Sequence, residues 1–449
     1  MKKYIVVALG FLVMSCSSDD VNTEDSNGQQ DAAVFGTISW VKNFGGSGDD
    51  SPRSVVPTLD GGFAVFGFTN SSDGDLASKA LNVNDYWLLK FNVEGELQWQ
   101  RTYGGSKDDR GQKAIQTKDG GYAITGYAMS DDGDGTSNEG FHDNWILRLD
   151  ESGNILWERS FGFSGHDHSY DIIETTDGGF FFSGFLDVSA SNGEGSTEKS
   201  KGVTAHGVGE FWGTRLDAEG NLLWRKYFGG SNNDRSFGVT QAFDGGFILS
   251  GVSESNDFDI SASKGSYDYW VVKVNKNGVF EWEKSFGGTG IDQSFDITKT
   301  NDNAYVIVGT TFSSDTQISK NNGEADIWLV KFDGSGTLLW EKSFGGPAFD
   351  AAHSVSLAND GGFIISGNSK SYGGDATAYF GENDLWLIKT NTSGEMVWQK
   401  TIGGTGLDFG YDAFQTENGA LIFVGDTASE DFPEIVYKGG IDLVVLKIE

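Results

Sequence analysis

One sequence unit recurs seven times along this chain of 449 residues, and it constrains the fold more than any other feature. Each copy has a tryptophan four residues before an aromatic residue or isoleucine, then Gly-Gly (Gly-Phe in the third copy), then an aspartate four residues on. The tryptophans are Trp40, Trp99, Trp157, Trp224, Trp282, Trp340 and Trp398; the aspartates are Asp50, Asp109, Asp167, Asp234, Asp292, Asp350 and Asp408. Because one such unit cannot bury its own core, the copies must pack against one another.

Each unit is predicted to contain four short strands, A to D. In the first unit these are 54–59, 63–68, 85–91 and 97–103. Asp-Gly-Gly joins strands A and B, where glycine accepts positive φ without penalty. Strand C begins with an acidic residue, followed two residues later by a second tryptophan. All 13 tryptophans therefore fall at two positions of the repeat, which favours core packing over ligand stacking.

Tandem four-stranded units of this length predict an all-β fold, a seven-bladed β-propeller with antiparallel blades, over residues 34–449. The last unit has strands A to C and ends with 442–448, whereas an additional strand D, about 37–44, precedes the first unit. Pairing these two strands would complete the seventh blade. It would also leave no open sheet edge between the first and last blades.

The beginning of the chain is typical of an export signal. Lys2 and Lys3 precede an apolar run at 4–14, which is too short to span a bilayer as a helix. Ser15 and Cys16 follow, and because Cys16 is the single cysteine, no intrachain disulfide is possible. Residues 1–15 are thus predicted to be a signal peptide, and the polar segment 16–33 a flexible acidic tether.

These motifs resemble those of one bacterial group. The cysteine in Leu-Val-Met-Ser-Cys resembles a lipoprotein signal, in which Cys16 would carry the lipid; an ordinary secretory signal is the alternative. The acidic run 17–20 resembles the surface-export signal of Bacteroidetes lipoproteins. Across 34–449, Gly-Gly-x-x-x-Asp, Asp-Gly-Gly-Phe and Asp-x-Trp-x-x-Lys resemble the seven-bladed propeller repeats of secreted Bacteroidetes proteins. The resemblance implies an outer-membrane, lipid-anchored protein that faces the cell exterior, but no single activity.

The charge and the motifs exclude several functions. A net charge of −33 opposes binding to nucleic acid and adsorption to anionic lipid, so membrane contact is expected through the lipid anchor alone. The sequence has no Gly-x-Ser-x-Gly, His-Glu-x-x-His or phosphate-binding glycine loop, so we predict a protein without catalytic activity. A carboxylate pair for glycoside cleavage stays open, because acidic residues are so common here.

Strand alternation places the A–B and C–D turns at one end of the propeller and the B–C and D–A connections at the other. The B–C loops are long and polar, and 187–209 is the longest. Long loops on a rigid scaffold are where binding usually occurs. Units two and three also contain four of the five histidines, His142, His166, His168 and His206. A His-x-His pair with a third histidine could bind a transition metal, an anion or a sugar; solvated loop histidines are the alternative.

Residues near the start of the innermost strands are predicted to line the channel mouth. They are Arg53, Arg110, His168, Tyr170, Arg235, Phe237, Phe295, His353 and Tyr411. Such a mixture of arginine and aromatic side chains suits glycan or peptide contacts. The seven repeated aspartates could ring the channel, but accepting backbone N–H groups in a turn is the preferred interpretation. Asp131, Asp132 and Asp134 offer clustered oxygens suitable for Ca²⁺, but they lack the spacing of an EF-hand loop, so ordinary acidic turns are the preferred interpretation; no other cofactor is predicted.

The sequence therefore predicts a surface-exposed, lipid-anchored propeller, either a monomer or a subunit of a larger complex. It would bind a glycan or an envelope protein at its long-loop end, most favourably over units two and three. Residues 333–340 also resemble the tryptophan-docking motif of quinoprotein-like propellers, which include an outer-membrane assembly lipoprotein. This second resemblance implies a scaffold or accessory subunit of an outer-membrane complex. A polysaccharide-active enzyme is the third hypothesis.

Overall fold

The computed structural model describes residues 36–135, 137–187, 207 and 209–449. The predicted signal peptide, the tether with Cys16, and His206 lie outside the described residues. Within these described ranges, no helix has the length and apolar character needed to cross a membrane. Regular structure there consists of β-strands and one 3₁₀ turn, Gly74–Leu76.

The described residues form 28 strands in seven four-stranded antiparallel sheets, which are the blades. Blade 1 contains β2 Asp50–Pro57, β3 Phe63–Thr69, β4 Asp85–Phe91 and β5 Leu97–Tyr103; blade 2 contains β6 Asp109–Gln116, β7 Tyr122–Ala128, β8 Asp143–Leu149 and β9 Ile155–Phe161. Blade 3 contains β10 Asp167–Glu174, β11 Phe180–Asp187, β12 Gly209–Leu216 and β13 Leu222–Phe228; blade 4 contains β14 Asp234–Gln241, β15 Phe247–Ser253, β16 Asp268–Val274 and β17 Phe280–Phe286. Blade 5 contains β18 Asp292–Lys299, β19 Tyr305–Thr311, β20 Asp326–Phe332 and β21 Leu338–Phe344; blade 6 contains β22 Asp350–Leu357, β23 Phe363–Ser369, β24 Asp384–Thr390 and β25 Met396–Ile402. Blade 7 combines β26 Asp408–Gln415, β27 Leu421–Thr427 and β28 Asp442–Ile448 with β1 Ile38–Phe44.

The ring closes as the sequence predicts. Strand β1 pairs antiparallel with β28, and the register runs from Ile38 opposite Ile448 to Phe44 opposite Leu443. Beyond the strands, the N–H of Gly36 donates to the carbonyl of Glu449 at 2.8 Å. The seven-bladed propeller and its closing strand pair are therefore confirmed.

The hydrophobic core lies between neighbouring blades. At the closure, Phe63, Trp87 and Phe91 of blade 1 pack with Val424 and Val445 of blade 7 in one buried cluster. Each blade thus buries the faces of its sheet against the blades beside it, as stacked repeats require.

The innermost strands begin earlier than the sequence predicts. Strand A of the first unit was predicted at 54–59, but β2 is Asp50–Pro57. Its register shifts between Pro52 and Ser54, which leaves Arg53 as the extra residue of a β-bulge. A bulge breaks the two-residue alternation by which strands are recognised in sequence. All seven inner strands have a bulge at this position, at Arg53, Gln112, Tyr170, Phe237, Phe295, His353 and Tyr411.

The repeated aspartates stabilise the connection from one blade to the next. All seven are fully buried at the first position of an inner strand. Asp292, for example, accepts the N–H of Gly288 at 2.8 Å and the hydroxyl of Ser313 at 2.9 Å. It also accepts the hydroxyl of Thr311. The interpretation of these aspartates as backbone acceptors, rather than as a ring around the channel, is confirmed.

The two tryptophan positions have different neighbours. The strand C tryptophans, such as Trp87, are among the largest fully buried side chains. The outer-strand tryptophans are half-buried and lie over a glycine in the turn of the next blade, as Trp40 does over Gly95. At the closure Trp398 lies in the same way over Gly36, beside Glu449. This contact therefore continues across the point where the two ends of the propeller meet.

We predict that Gly95→Ala destabilises the protein more than Gly61→Ala. Both glycines have positive φ, 77° and 82°, so each alanine has the left-handed cost of about 1–2 kcal/mol. A Cβ on Gly95 would also overlap the indole of Trp40, whereas nothing lies within 4 Å of a Cβ on Gly61. The extra overlap should add about 1–3 kcal/mol. Denaturant unfolding measures both losses, and equal losses would contradict the tryptophan contact.

Candidate binding site at the long-loop end

The B–C loops and D–A connections meet at one end of the propeller. There the residue before strand C of one blade, or its first residue in blade 3, forms a parallel bridge with the residue before strand A of the next blade. Six of these junctions are Asp49–Ile441, His142–His166, Gly209–Asn233, Tyr267–Ile291, Ala325–Phe349 and Asn383–Leu407. The seventh, between blades 1 and 2, contains a 2.8 Å bond from the N–H of Asp109 to the carbonyl of Asn84. The predicted grouping of the loops at one end is therefore confirmed for the described loops, whereas residues 188–206 and 208 of the longest loop lie outside the described residues.

The seven bulged residues converge at the channel mouth on this end. We call them the collar, and they are Arg53, Gln112, Tyr170, Phe237, Phe295, His353 and Tyr411. Neighbouring ring centroids lie 4.8 Å apart for Tyr170 and Phe237, and 5.3 Å apart for Phe237 and Phe295. The series continues through His353 to Tyr411, whose centroid lies 4.1 Å from the guanidinium carbon of Arg53. The collar surrounds a cavity of about 210 Å³.

The collar is aromatic with one cation. Burial lowers the pKa of His353 to about 4, so this ring is neutral at neutral pH, and its Nε2 lies 3.0 Å from Oδ1 of Asn368. The Arg53 guanidinium lies 3.9 Å from Asp426, whose pKa burial raises to about 6. An apolar or aromatic ligand surface can thus stack here beside a single positive group.

A second layer, one residue further along the inner strands, divides the channel. We call Lys113, Asp171, Asp296 and Asp412 the carboxylate ring. These side chains line both the collar cavity and a larger cavity of about 690 Å³ toward the short turns. They therefore lie between the two cavities.

The carboxylates of this ring satisfy backbone groups beside the bulges. Asp171 accepts the N–H of Ile172 at 2.8 Å and the N–H of Val239, in the next blade, at 2.7 Å. Asp296 does the same for Ile297 and Val355, at 2.8 and 2.9 Å. A bulge disrupts the local ladder, and buried N–H groups need other acceptors. Each carboxylate consequently joins two blades.

Asp412 makes the third link of this kind, across the closure of the ring. It accepts the N–H of Ala413 at 2.9 Å and the N–H of Val55 in blade 1 at 3.0 Å. At blade 2 a hydroxyl takes this place, because Oγ of Ser54 lies 3.5 Å from the nitrogen of Ala114. Three carboxylates and one hydroxyl thus serve the seven inner strands.

Three carboxylates with one lysine make an electrostatically unbalanced group. Burial raises the pKa of Asp171 to about 7 and that of Asp296 to about 6. Burial acts to lower the pKa of Lys113, but Asp412, Asp296 and Asp171 together raise it. Nζ of Lys113 lies 3.8 Å from Oδ2 of Asp412, and its side chain keeps 25 % exposure because it faces the channel. The lysine therefore stays charged and offsets part of the repulsion.

The structure also brings three of the predicted histidines together, at the junction of blades 2 and 3. One ring nitrogen each from His142, His166 and His168 lies within 4.8 Å of the others. The two Nδ1 atoms of His142 and His166 are 2.8 Å apart. Because side chains two residues apart in a strand share a face, His166 and His168 turn toward the same neighbour.

Aromatic rings surround these histidines. Tyr127 stacks on His168 with centroids 4.0 Å apart, and Phe141 stacks on His166 at 5.1 Å. Burial, with the neighbouring histidines, lowers the pKa of His168 to about 2 and also lowers that of His166. These two rings are therefore neutral at neutral pH, the form in which imidazole offers a lone pair.

The two other arginines predicted at the channel mouth lie between blades instead. The guanidinium of Arg110 lies 5.3 Å from the ring centroid of Phe68 and donates to Asp108 at 3.0 Å. Arg235 lies 4.6 Å from the ring centroid of Phe185 and donates to Asn233 at 3.1 Å. Their position two residues before the bulge accounts for this difference from the collar.

The acidic loop predicted for Ca²⁺ binds backbone groups of the D–A connection. Asp132 accepts the N–H of Ser106 at 2.8 Å and Asp134 that of Gly104 at 3.2 Å, while Asp131 pairs with Lys107 at 3.0 Å. Blade 1 repeats the two backbone bonds with Asp73 and Asp75. Throughout the described ranges, the three histidines are the one set of at least three ligating side chains that converges. Calcium binding at these loops stays a prediction.

Five channel residues are absent from the predictions made from the sequence: Gln112, Lys113, Asp171, Asp296 and Asp412. A signal for them exists in the alignment of the seven units on their first aspartate. Four residues after the aspartate, the seven units have serine, lysine, aspartate, glycine, aspartate, serine and aspartate. In an inner strand packed on both faces, this position would be buried and apolar. Charged residues at such a position indicate a channel lining.

We predict that the contribution of Asp171 and Asp296 to stability falls as pH rises from 4 to 8. Folding raises the pKa of Asp171 and Asp296 above the ordinary value of 3.8, so the folded state binds more protons than the unfolded chain. Stability from this source is complete below pH 4 and is lost through pH 6 and 7. Lys113→Met should therefore cost about 3 kcal/mol at pH 8, the lower end for breaking a buried ion pair, and less at pH 5, where Asp171 and Asp296 are protonated.

Denaturant unfolding at both pH values measures this difference. The matched control is Lys118→Met, which removes the same charge from an exposed side chain near Glu174. A Lys113→Met cost that is the same at pH 5 and pH 8 would contradict the ionised carboxylate ring.

Comparisons with known proteins show resemblance to solved structures. Neither a family model nor a curated protein matches the chain. It is similar to BamB from Moraxella catarrhalis, with 11 % identity, 91 % of this chain and 100 % of that chain covered, and a TM-score of 0.40. It is similar to the β-propeller domain of the Trilobed protease from Pyrococcus furiosus, with 8 % identity, coverages of 87 % and 91 %, and a TM-score of 0.42. It is also similar to BBS1N in complex with ARL6DN, with 7 % identity, 92 % of this chain and 96 % of that chain covered, and a TM-score of 0.42.

Proposed function

We propose that this protein is a lipid-anchored binding module of the cell surface that holds a glycan at its collar without converting it. The supporting observation is the collar itself: four aromatic rings and a neutral imidazole, half-exposed, with one guanidinium at the mouth of a cavity of about 210 Å³. Such rings stack on the apolar faces of sugars, and an arginine donates several hydrogen bonds to ligand oxygens.

Repetition distinguishes the collar from the structural positions. The first aspartate of each inner strand is the same residue in all seven units, as a shared structural role requires. The collar position varies among arginine, glutamine, histidine and aromatic residues. Because Gln112 occupies it in blade 2, the fold does not need an aromatic ring there. Contact with a ligand would explain four aromatic residues at one channel mouth.

The location in this proposal comes from the sequence. Cys16 would carry the lipid, and the acidic run at 17–20 would direct the protein to the outer face of the outer membrane. A flexible tether before residue 34 would leave the long-loop end free to reach a polymer. The anchor is testable on its own, because mass spectrometry of the membrane fraction detects acyl groups on Cys16.

The collar is tested by variants that replace an aromatic residue with glutamine, the residue that blade 2 has at this position. We expect Phe237→Gln and Tyr411→Gln each to weaken binding by about two- to tenfold, since a stacked aromatic pair contributes about 0.5–1.5 kcal/mol. Ligands are first found on a glycan array and then measured by calorimetry. The control is Phe243→Gln, which changes an exposed aromatic on the other side of the carboxylate ring.

Replacing 187–209, the long B–C loop of blade 3, by a short turn tests whether the collar or this loop binds the ligand. Binding that survives this replacement but not the collar changes supports the collar. Binding that survives both collar changes would overturn it. Retrieval of a protein from envelope extract by the collar, with no glycan bound on the array, would reassign the ligand to an envelope protein.

A scaffold role in an outer-membrane complex is the second candidate, and the blade edges favour it. Leu156, Leu223, Leu339 and Val397 are each the second residue of an outer strand, and they are between 50 and 63 % exposed. Exposed apolar residues repeated on four blade edges suit contact with another envelope protein. We expect a membrane β-barrel to co-purify with the protein and to be lost when these four residues become serine. Failure to co-purify would leave the collar as the functional surface.

A polysaccharide-active enzyme has less support. Glycoside cleavage needs two carboxyl groups that face the scissile bond. The channel carboxylates of Asp171, Asp296 and Asp412 each accept two backbone N–H groups. They are thus occupied in holding blades together.

A further inference from the structure

We infer that His142, His166 and His168 bind one divalent transition metal ion, such as Zn²⁺, at the junction of blades 2 and 3. The inference is independent of the proposed glycan at the collar. It is tested with the metal alone, so either idea can fail without the other.

The repeat itself shows that the fold does not require these histidines. The position of His142 is occupied elsewhere by Asn84, Gly209, Tyr267, Ala325, Asn383 and Ile441. The position of His166 is occupied by Asp49, Asp108, Asn233, Ile291, Phe349 and Leu407. The position of His168 is occupied by Ser51, Arg110, Arg235, Gln293, Ala351 and Phe409. One of the seven junctions has histidine at all three positions, and the three side chains lie next to one another there.

Two of the ring nitrogens are close to metal-binding distances, and the ligating nitrogens of all three rings lie within 4.8 Å of one another. A tetrahedral ion with bonds of about 2.0–2.1 Å to nitrogen holds its ligand atoms about 3.3 Å apart. The Nδ1 atoms of His142 and His166 are 2.8 Å apart, so they need to separate by only about 0.5 Å. Nε2 of His168 is buried without a hydrogen bond, which leaves a lone pair for the third bond.

The groups beside the other nitrogens of the His142 and His168 rings favour the tautomers that metal binding needs. Oδ2 of Asp108 lies 3.8 Å from Nε2 of His142, on the side of the ring away from His166. A carboxylate there favours the tautomer with a proton on Nε2 and a lone pair on Nδ1, as in carboxylate–histidine–zinc arrangements. The hydroxyl of Tyr170 lies 3.3 Å from Nδ1 of His168 and can accept a hydrogen bond from Nδ1–H, the tautomer in which Nε2 keeps its lone pair.

The donor set selects the class of metal. Neutral imidazoles bind Zn²⁺, Cu²⁺, Ni²⁺ and Co²⁺, whereas Ca²⁺ and Mg²⁺ take oxygen ligands. Three protein ligands leave a tetrahedral ion one further position, for water or for a group from a binding partner. Phe141, stacked on His166, is 56 % exposed, so the site lies at the surface of the long-loop end.

The test is a titration of the untagged protein with Zn²⁺ against a chromophoric chelator. We expect one ion per chain. His142→Asn, His166→Asn and His168→Gln use residues that other junctions carry, so the fold should tolerate them; each should weaken binding by at least about 100-fold. Asp108→Asn should weaken it by about 10- to 100-fold.

The matched control is Tyr267→Asn, at the position of His142 in the junction of blades 4 and 5, and it should leave affinity unchanged. Co²⁺ should give the visible absorption of a tetrahedral nitrogen-ligated ion, which the histidine variants lose. Two results would overturn the site: affinity no tighter than about millimolar, or an equal loss in the control. Unchanged thermal unfolding without metal shows that the variants are folded.

Discussion

The bulge in each inner strand is the feature on which the inside of this propeller depends. The extra residue of each bulge lies at the channel mouth, and the seven extra residues together form the collar. The bulge also disrupts the local hydrogen-bond ladder, and the side chain that follows supplies the acceptor: Asp171, Asp296 and Asp412 each bind N–H groups of two blades. The aromatic mouth and the carboxylate ring are thus two consequences of one backbone distortion.

Repeated and varied positions have different tasks in this molecule. Residues that recur, such as Asp292 and Trp40, hold the turns and bring neighbouring blades together. Residues that depart from the repeat gather at the long-loop end, in the collar and around His166. The varied residues of the carboxylate ring also join blades, whereas those of the collar and the histidine cluster lie at positions where the repeat tolerates several residue types. Both proposed sites are built from this second set.

Much of the fold is predictable from the sequence, because its signals are local and recur seven times. Strands β4, β5 and β28 have the predicted bounds, since their alternation and turns are regular. The start of β2 and the residues after the bulge were missed, because a bulge has no period of two. The pairing of His166 with His168 follows from spacing alone. The arrival of His142 beside them depends on the bridge between two blades, which requires the assembled ring.

We propose that ligands bind the propeller at the long-loop end, through residues that vary among the seven units. Hydrogen exchange of the protein, with and without the best glycan from the array, tests this most directly. The account predicts slower exchange at the beginnings of β10, β14, β18 and β26, which surround the collar, and no change in the A–B turns. Protection confined to the A–B and C–D turns, at the opposite end, would contradict it.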